Sequence, residues 1–130
     1  MANLLVVDSS YYIQRARQGL DPFEELYQAT DVWEPATCGM ILLEVLRGCL
    51  SEKIRKRYEE AFSCMVFLPT STKVWERAAR LAWTLDRQGK TIPATDLIIA
   101  ASALSDDAVV LTHDAHFAVV PGLRVLRSLF

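Results

Sequence analysis

The chain is poor in the features that announce a chemistry directly. Its cysteines, Cys38, Cys49 and Cys64, are odd in number and widely spaced, so no CxxC pair and no Cys/His zinc spacing exists. They read as buried or partly buried reduced thiols, the state expected in a cytosolic protein. No apolar run approaches the roughly 18 residues that a membrane span needs; the longest, Leu97 to Leu104, contains Ser102. The opening Met1-Ala2-Asn3-Leu4 has no positive stretch and no signal-type cleavage site. Charge of one sign is missing as well: 14 basic residues face 16 acidic ones, a net charge of −2. The surface as a whole therefore does not trap polyanions, and a nucleic acid would have to be held by local patches and metal ions. Repeats, linkers and low-complexity segments are absent.

What remains is an oily chain of single-domain length. Its 130 residues are 52% hydrophobic, with mean hydropathy +0.17. That length predicts one domain over residues 1–130 with one sizeable core. The apolar surplus predicts a covered interface, a homodimer or a partner chain.

Short apolar runs alternate with helical patterns. Leu4 to Val7 reads as a buried parallel strand ending at Asp8. A helix is expected from about Ser9 to Gln18, stopped by Gly19, and a short one from Pro22 to about Ala29. Val32 to Ala36 reads as a strand that Pro35 places near an edge. Thr37 is the expected N-cap of a helix carrying Ile41, Leu42, Val45 and Leu46, with Gly48 as its stop. Ser51 caps another helix through about Ser63, and its basic run, Lys53, Arg55, Lys56 and Arg57, reads as a solvated face. Met65 to Leu68 is a strand closed by Pro69.

From Thr72 to Gly89 an amphipathic helix is expected, with Trp75, Ala78, Ala79, Ala82 and Leu85 on its apolar stripe. Pro93 begins a mostly apolar helix. Ala108 to Thr112 is the clearest strand, Asp106-Asp107 the turn before it, and Leu123 to Leu126 the last strand. Strands alternating with helices predict an α/β domain with a mainly parallel sheet. Tyr11 and Tyr12 read as core or interface residues.

The acidic residues fall where such a sheet binds ligands, outside the carboxyl ends of its strands. Asp8 directly follows the first strand, and Asp114 follows Val109-Val110-Leu111-Thr112. Asp96 lies in the first turn of its helix, where the helix dipole alone would favour it. Glu44 stands among Ile41, Leu42, Leu43, Val45 and Leu46. A charge in that setting needs a partner, either Arg47 one turn on or a metal. Carboxylates gathered in one cleft repel, by about 4 kcal/mol per pair at ~4 Å and an effective dielectric near 20. A hard cation relieves this, and oxygen ligands without Cys or His point to Mg²⁺ or Mn²⁺. Such a site suits phosphodiester hydrolysis.

Four segments carry a resemblance: Val6-Val7-Asp8-Ser9-Ser10; Leu43-Glu44-Val45-Leu46-Arg47-Gly48; Thr95-Asp96-Leu97-Ile98-Ile99-Ala100-Ala101; and Leu111-Thr112-His113-Asp114-Ala115-His116-Phe117. In order and spacing they resemble the PIN-domain ribonucleases, above all the VapC toxins of bacterial toxin–antitoxin modules, over nearly the whole chain. The resemblance implies a PIN-like α/β domain, a sheet of about five strands flanked by helices with the active site at their carboxyl ends. It implies a cytoplasmic endoribonuclease that uses Mg²⁺ or Mn²⁺ and pairs with an antitoxin. Asp8, Asp96 and Asp114 would hold the metal, Glu44 would complete the catalytic pocket, and Ser9 and Thr112 would hydrogen-bond the acidic cluster. Arg15, His113 and His116 are candidates for RNA or partner contact, and Arg17 joins Arg15 on the first helix. The Thr-His-Asp loop departs from the family, where Arg or Asn is common at the middle position.

Other readings fit less well. A phosphotransfer receiver domain would want paired acids after the first strand and a late lysine, and no lysine follows Lys90. A haloacid-dehalogenase-type phosphatase would want an acid where Ser10 stands. An RNA-processing nuclease that is not a toxin, and a binding scaffold on the same fold, stay open as alternatives.

Overall fold

The computed structural model describes residues 3–130. It is a five-stranded sheet, parallel throughout, in which β1 (Asn3–Val7) is central. On one side lie β2 (Trp33–Thr37) and then β3 (Val66–Phe67); on the other lie β4 (Val109–Leu111) and then β5 (Val125–Leu126). Leu5, Val6 and Val7 are all fully buried, as a strand covered on both faces requires. Because β1 pairs with β2 on one side and β4 on the other, the chain reverses direction across the sheet at the carboxyl end of β1. That crevice is where doubly wound sheets bind ligands.

Six helices complete the fold. They are α1 (Ser9–Arg17), α2 (Pro22–Gln28), α3 (Gly39–Arg47), α4 (Glu52–Ser63), α5 (Thr72–Arg87) and α6 (Ala94–Ser105), and a 3₁₀ helix spans Ala115–Val119. Local chemistry sets their ends. Asp21 caps α2 by accepting the Phe23 N–H at 2.9 Å, with Pro22 in the first turn, and Ser51 caps α4 through the Ile54 N–H. Gly19 and Gly89 follow α1 and α5 at φ +73° and +72°, a conformation that costs other residues strain. The run from Asp96 to Ala103 in α6 is buried on every side, which is why that helix is apolar all round. An aromatic cluster joins α1, α2 and α4. The Tyr12 ring lies 5.2 Å from Phe62 and 5.5 Å from Phe23, and Phe23 lies 5.0 Å from Tyr58. Each such pair contributes about 0.5–1.5 kcal/mol beyond its buried area.

Three local expectations are corrected. Thr37 does not cap α3: it is the last residue of β2, and Cys38 takes the cap position without a side-chain bond. The extended backbone runs one residue further because Thr37 pairs with Phe67 of β3. Trp75 and Ala79 are exposed, and the buried stripe of α5 is Val74, Ala78 and Leu85. The true stripe starts one residue earlier. Cys64 is exposed, whereas Cys38 is buried and Cys49 partly so. Pro35 does lie near an edge, on β2 next to the edge strand β3, and β3 pairs with β2 only at Ala36 and Thr37. The missing N–H of Pro35 therefore interrupts no ladder on that side.

One polar anchor fixes the angle between α1 and α2. Glu25 Oε1 accepts the Tyr11 hydroxyl at 2.6 Å and Arg15 Nε at 2.8 Å. Burial works to raise the Glu25 carboxyl pKa, but these two bonds override it and hold it below the ordinary value. A depressed carboxylate contributes stability that is present above its unfolded pKa and lost as pH falls through the folded one. Glu25→Gln is therefore expected to cost about 1–2 kcal/mol at pH 7. In paired thermal melts the gap to the parent closes as pH falls below the usual glutamate range; a gap independent of pH would refute the assignment.

Candidate metal-binding active site

The carboxyl rim of the sheet opens into a cavity of about 710 Å³. Its lining includes Asp8, Ser9, Ser10, Ile13, Gln14, Arg17, Glu44, Thr95, Asp96, His113, Asp114 and His116. The four acids come from four places in the fold: the end of β1, the middle of α3, the first turn of α6, and the cap of the 3₁₀ helix after β4. The structure thus brings together every acidic residue singled out in the sequence. Arg17 is the one lysine or arginine in the lining among the described residues.

Asp8 is 2% exposed and is held from several directions. Its Oδ2 accepts the Ser10 and Thr112 hydroxyls, each at 2.8 Å. Those hydroxyl oxygens in turn accept backbone N–H groups of the next loop, His113 to Ser10 at 3.1 Å and Asp114 to Thr112 at 2.9 Å. Each hydroxyl has a single proton, so both protons serve Asp8, and the loop carrying Asp114 is fastened to the end of β1. The β1 side adds a backbone bond from Asp8 N to Leu111 O at 2.9 Å. Ser10 is the member that residue-by-residue reading missed. Its only sequence signal is a hydroxyl two places beyond a strand-end acid.

Glu44 is half-buried and does not pair with Arg47. Its Oε1 accepts the Ser9 hydroxyl at 3.1 Å, while the same hydroxyl stands 3.5 Å from Asp8 Oδ1. Burial first, and then repulsion from Asp8 and Asp96, push the Glu44 carboxyl above its ordinary range, against the Ser9 bond. Asp96, 8% exposed, is also pushed up, mainly by burial and further by Asp8 and Asp114, while His116 pulls the other way. His116 Nδ1 lies 2.8 Å from Asp96 Oδ2 and 3.0 Å from Asp114 Oδ1. Asp96, Asp114 and His116 each offer a ligand atom within 4.8 Å of the others.

The other sequence candidates divide. His113 lines the cavity, but its Nδ1 is buried without a partner and its ring packs 5.8 Å from Tyr11. Burial, then Arg15 and Arg127, lower its pKa. Arg15 is not in the lining: it is engaged by Glu25 and lies over the Tyr11 ring. Arg17, two residues further along and so on a different face of α1, takes the rim position.

The donor set fits a hard divalent cation. Oxygens crowd one open cavity, two carboxyls are destabilised as anions there, and one peripheral arginine cannot neutralise four acids. Beside it runs a second, more apolar groove of about 470 Å³ between α1, α3 and α4, lined by Tyr12, Val45, Leu50, Ile54 and Tyr58. Ile13 and Arg17 line both hollows.

Comparison with known proteins follows the same lines. A family model described as the PIN domain matches residues 5–123. Among solved structures, VapBC2 from Rickettsia felis bound to a promoter DNA fragment is similar at TM-score 0.79 and 19% identity, covering 95% of this chain and 97% of that one. DNA-bound VapBC from Salmonella typhimurium is similar at TM-score 0.79 and 21% identity, covering 97% and 98%. VapC20 of Mycobacterium tuberculosis, a toxin that cleaves the sarcin–ricin loop, is similar at TM-score 0.66 and 14% identity, covering 90% and 95%. None of the curated protein sequences compared matches significantly.

Thr112→Val removes the donor to buried Asp8 and the acceptor of the Asp114 N–H. It is expected to destabilise the protein by about 1–3 kcal/mol, measured by urea unfolding. Stability equal to the parent would show that this network does not hold the rim together.

Proposed function

Since the chain belongs to the PIN-domain family, whose model spans residues 5–123, we propose that it is a metal-dependent endoribonuclease, the toxin of a toxin–antitoxin pair. The observation that carries this reading is the convergence of Asp8, Glu44, Asp96 and Asp114 on one open cavity at the carboxyl rim. The sarcin–ricin loop cleavage ascribed to VapC20 supports RNA as the substrate class. Asp8, Asp96 and Asp114 would hold Mg²⁺ or Mn²⁺. When bound, the ion supplies a hydroxide from water and charge for the oxygens that gain it as the phosphodiester breaks.

The remaining work falls to side chains. Ser10, Thr112 and Ser9 orient Asp8 and Glu44 by their hydroxyl protons. Glu44, with its raised pKa, is the carboxylate suited to accept a proton from the attacking water. Arg17 stands at the mouth, placed to meet a backbone phosphate.

The apolar groove supports a protein partner. An antitoxin segment lying in it would reach the acidic cavity past Ile13 and Arg17, which line both. Among the described residues no helix is long and apolar enough to cross a membrane, and a cytoplasmic site of action accords with the reduced thiols. The exposed Trp75, Trp83 and Leu43 leave apolar surface for the homodimer that the composition predicts.

Purified protein freed of any antitoxin is expected to cut an RNA pool in Mn²⁺ or Mg²⁺ and to stop on chelation. Asp96→Asn should abolish cleavage with an unchanged circular dichroism spectrum. Retained cleavage in that variant would remove Asp96 from the site, and no cleavage by the parent in either metal would overturn the enzyme reading. For the partner, a short upstream reading frame encoding a DNA-binding protein is expected. Its product should lose affinity for the Ile54→Asp variant while that variant still cuts RNA.

A further inference from the structure

His116 is the one nitrogen base whose ring atom is drawn between two of the acids. Its Nδ1 is 2.8 Å from Asp96 Oδ2 and 3.0 Å from Asp114 Oδ1. Two ligands about 2.1 Å from a shared octahedral ion stand about 3 Å apart at adjacent corners. Nδ1 is therefore already spaced from each carboxylate oxygen as neighbouring corners of one coordination shell are, and all three atoms lie within 4.8 Å of one another. The placement is built, not incidental. The His116 backbone N–H donates to Asp114 Oδ1 at 2.9 Å, so the same carboxylate that caps the 3₁₀ helix fixes where the imidazole begins. Phe117, the next residue, is fully buried and anchors that helix in the core. The histidine side chain is 44% exposed on the cavity side, so it is not there to fill the core.

We propose that His116 is a ligand of the catalytic metal through Nδ1, so that the site is a mixed nitrogen and oxygen site that selects Mn²⁺ over Mg²⁺. The inference rests on the metal reading given above. Ligation releases the Nδ1 proton, when one is present, to solvent, and the nitrogen lone pair turns to the ion. Imidazole adds affinity for transition-metal ions, whereas Mg²⁺ gains little from nitrogen and prefers carboxylate and water. A site of carboxylates alone would discriminate less.

The test is calorimetric and spectroscopic and needs no turnover. Chelator-stripped protein is titrated with MnCl₂ and with MgCl₂ as the parent, His116→Ala and Asp96→Asn. The parent is expected to bind Mn²⁺ more tightly. His116→Ala should lose about 10–100-fold in Mn²⁺ affinity, the range for loss of one metal-supporting group, with Mg²⁺ affinity nearly unchanged. Electron spin echo modulation of the Mn²⁺ complex should show a directly bound imidazole nitrogen in the parent and in His113→Ala, and lose it in His116→Ala. His113 and His116 are the only histidines, so the signal has one other source to exclude. Absence of nitrogen modulation in the parent would overturn the proposal. So would a His116→Ala variant that keeps the parent's preference, or one that binds both ions more tightly, the mark of a histidine that competes with metal. Failure of the parent to bind either ion would instead overturn the metal reading itself.

Discussion

A buried anion at the end of the central strand has to be satisfied, and the rest of the rim is arranged around that need. Asp8 sits where β1 leaves the sheet, 2% exposed, and a carboxylate so placed is costly without donors. Two hydroxyls supply them, Ser10 in the first turn of α1 and Thr112 just past the end of β4. Because the same oxygens accept the His113 and Asp114 N–H groups, meeting the demand of Asp8 also sets the course of the loop that bears Asp114 and His116. One electrostatic requirement thereby positions the acids of β1 and of the loop after β4 relative to each other. Asp96 and Glu44 arrive on helices and complete the concentration of charge that a cation would relieve.

The parts of this arrangement legible in the sequence are those governed by chain-local rules. An apolar run ending in Asp placed Asp8 and Asp114 on the rim, since a parallel sheet turns all its strand ends one way. The α/β alternation and the order of elements followed from the same periodicity. The partner of Glu44 stood open between Arg47 and the pocket, and the structure pairs it with Ser9, 35 positions away, a neighbour that no helical spacing reveals. Ser10 and Glu25 were hidden for the same reason: their partners are brought near only by packing. Trp75 misled because a tryptophan at helical spacing looks like core, whereas the smaller Val74 is buried and the larger ring is left outside. The Thr37 cap failed because pairing with a two-residue strand extended β2 past it.

Charge also sorts the basic residues. Arg55 is taken up by Glu52 and Glu59 within α4, and Arg57 by Asp21, so two of the four cations in the basic run of that helix are neutralised in place. Arg15 is spent on Glu25. Arg17, without such a carboxylate partner among the described residues, is the cation left facing the acidic cavity. Net charge near zero thus conceals a local polarity, negative within the hollow and positive at its lip.

Helix α1 has nine residues and almost no idle face. Ser9 and Ser10 tend the carboxylates, Tyr11 and Tyr12 are sunk in the interior, Ile13 and Arg17 border both hollows, and Arg15 braces α2. An element so fully subscribed has little room to drift. Substitutions that alter recognition are therefore tolerated best at the periphery, on the exposed faces of α4 and α5, while a change in α1 disturbs the acids, the core and the brace to α2 together.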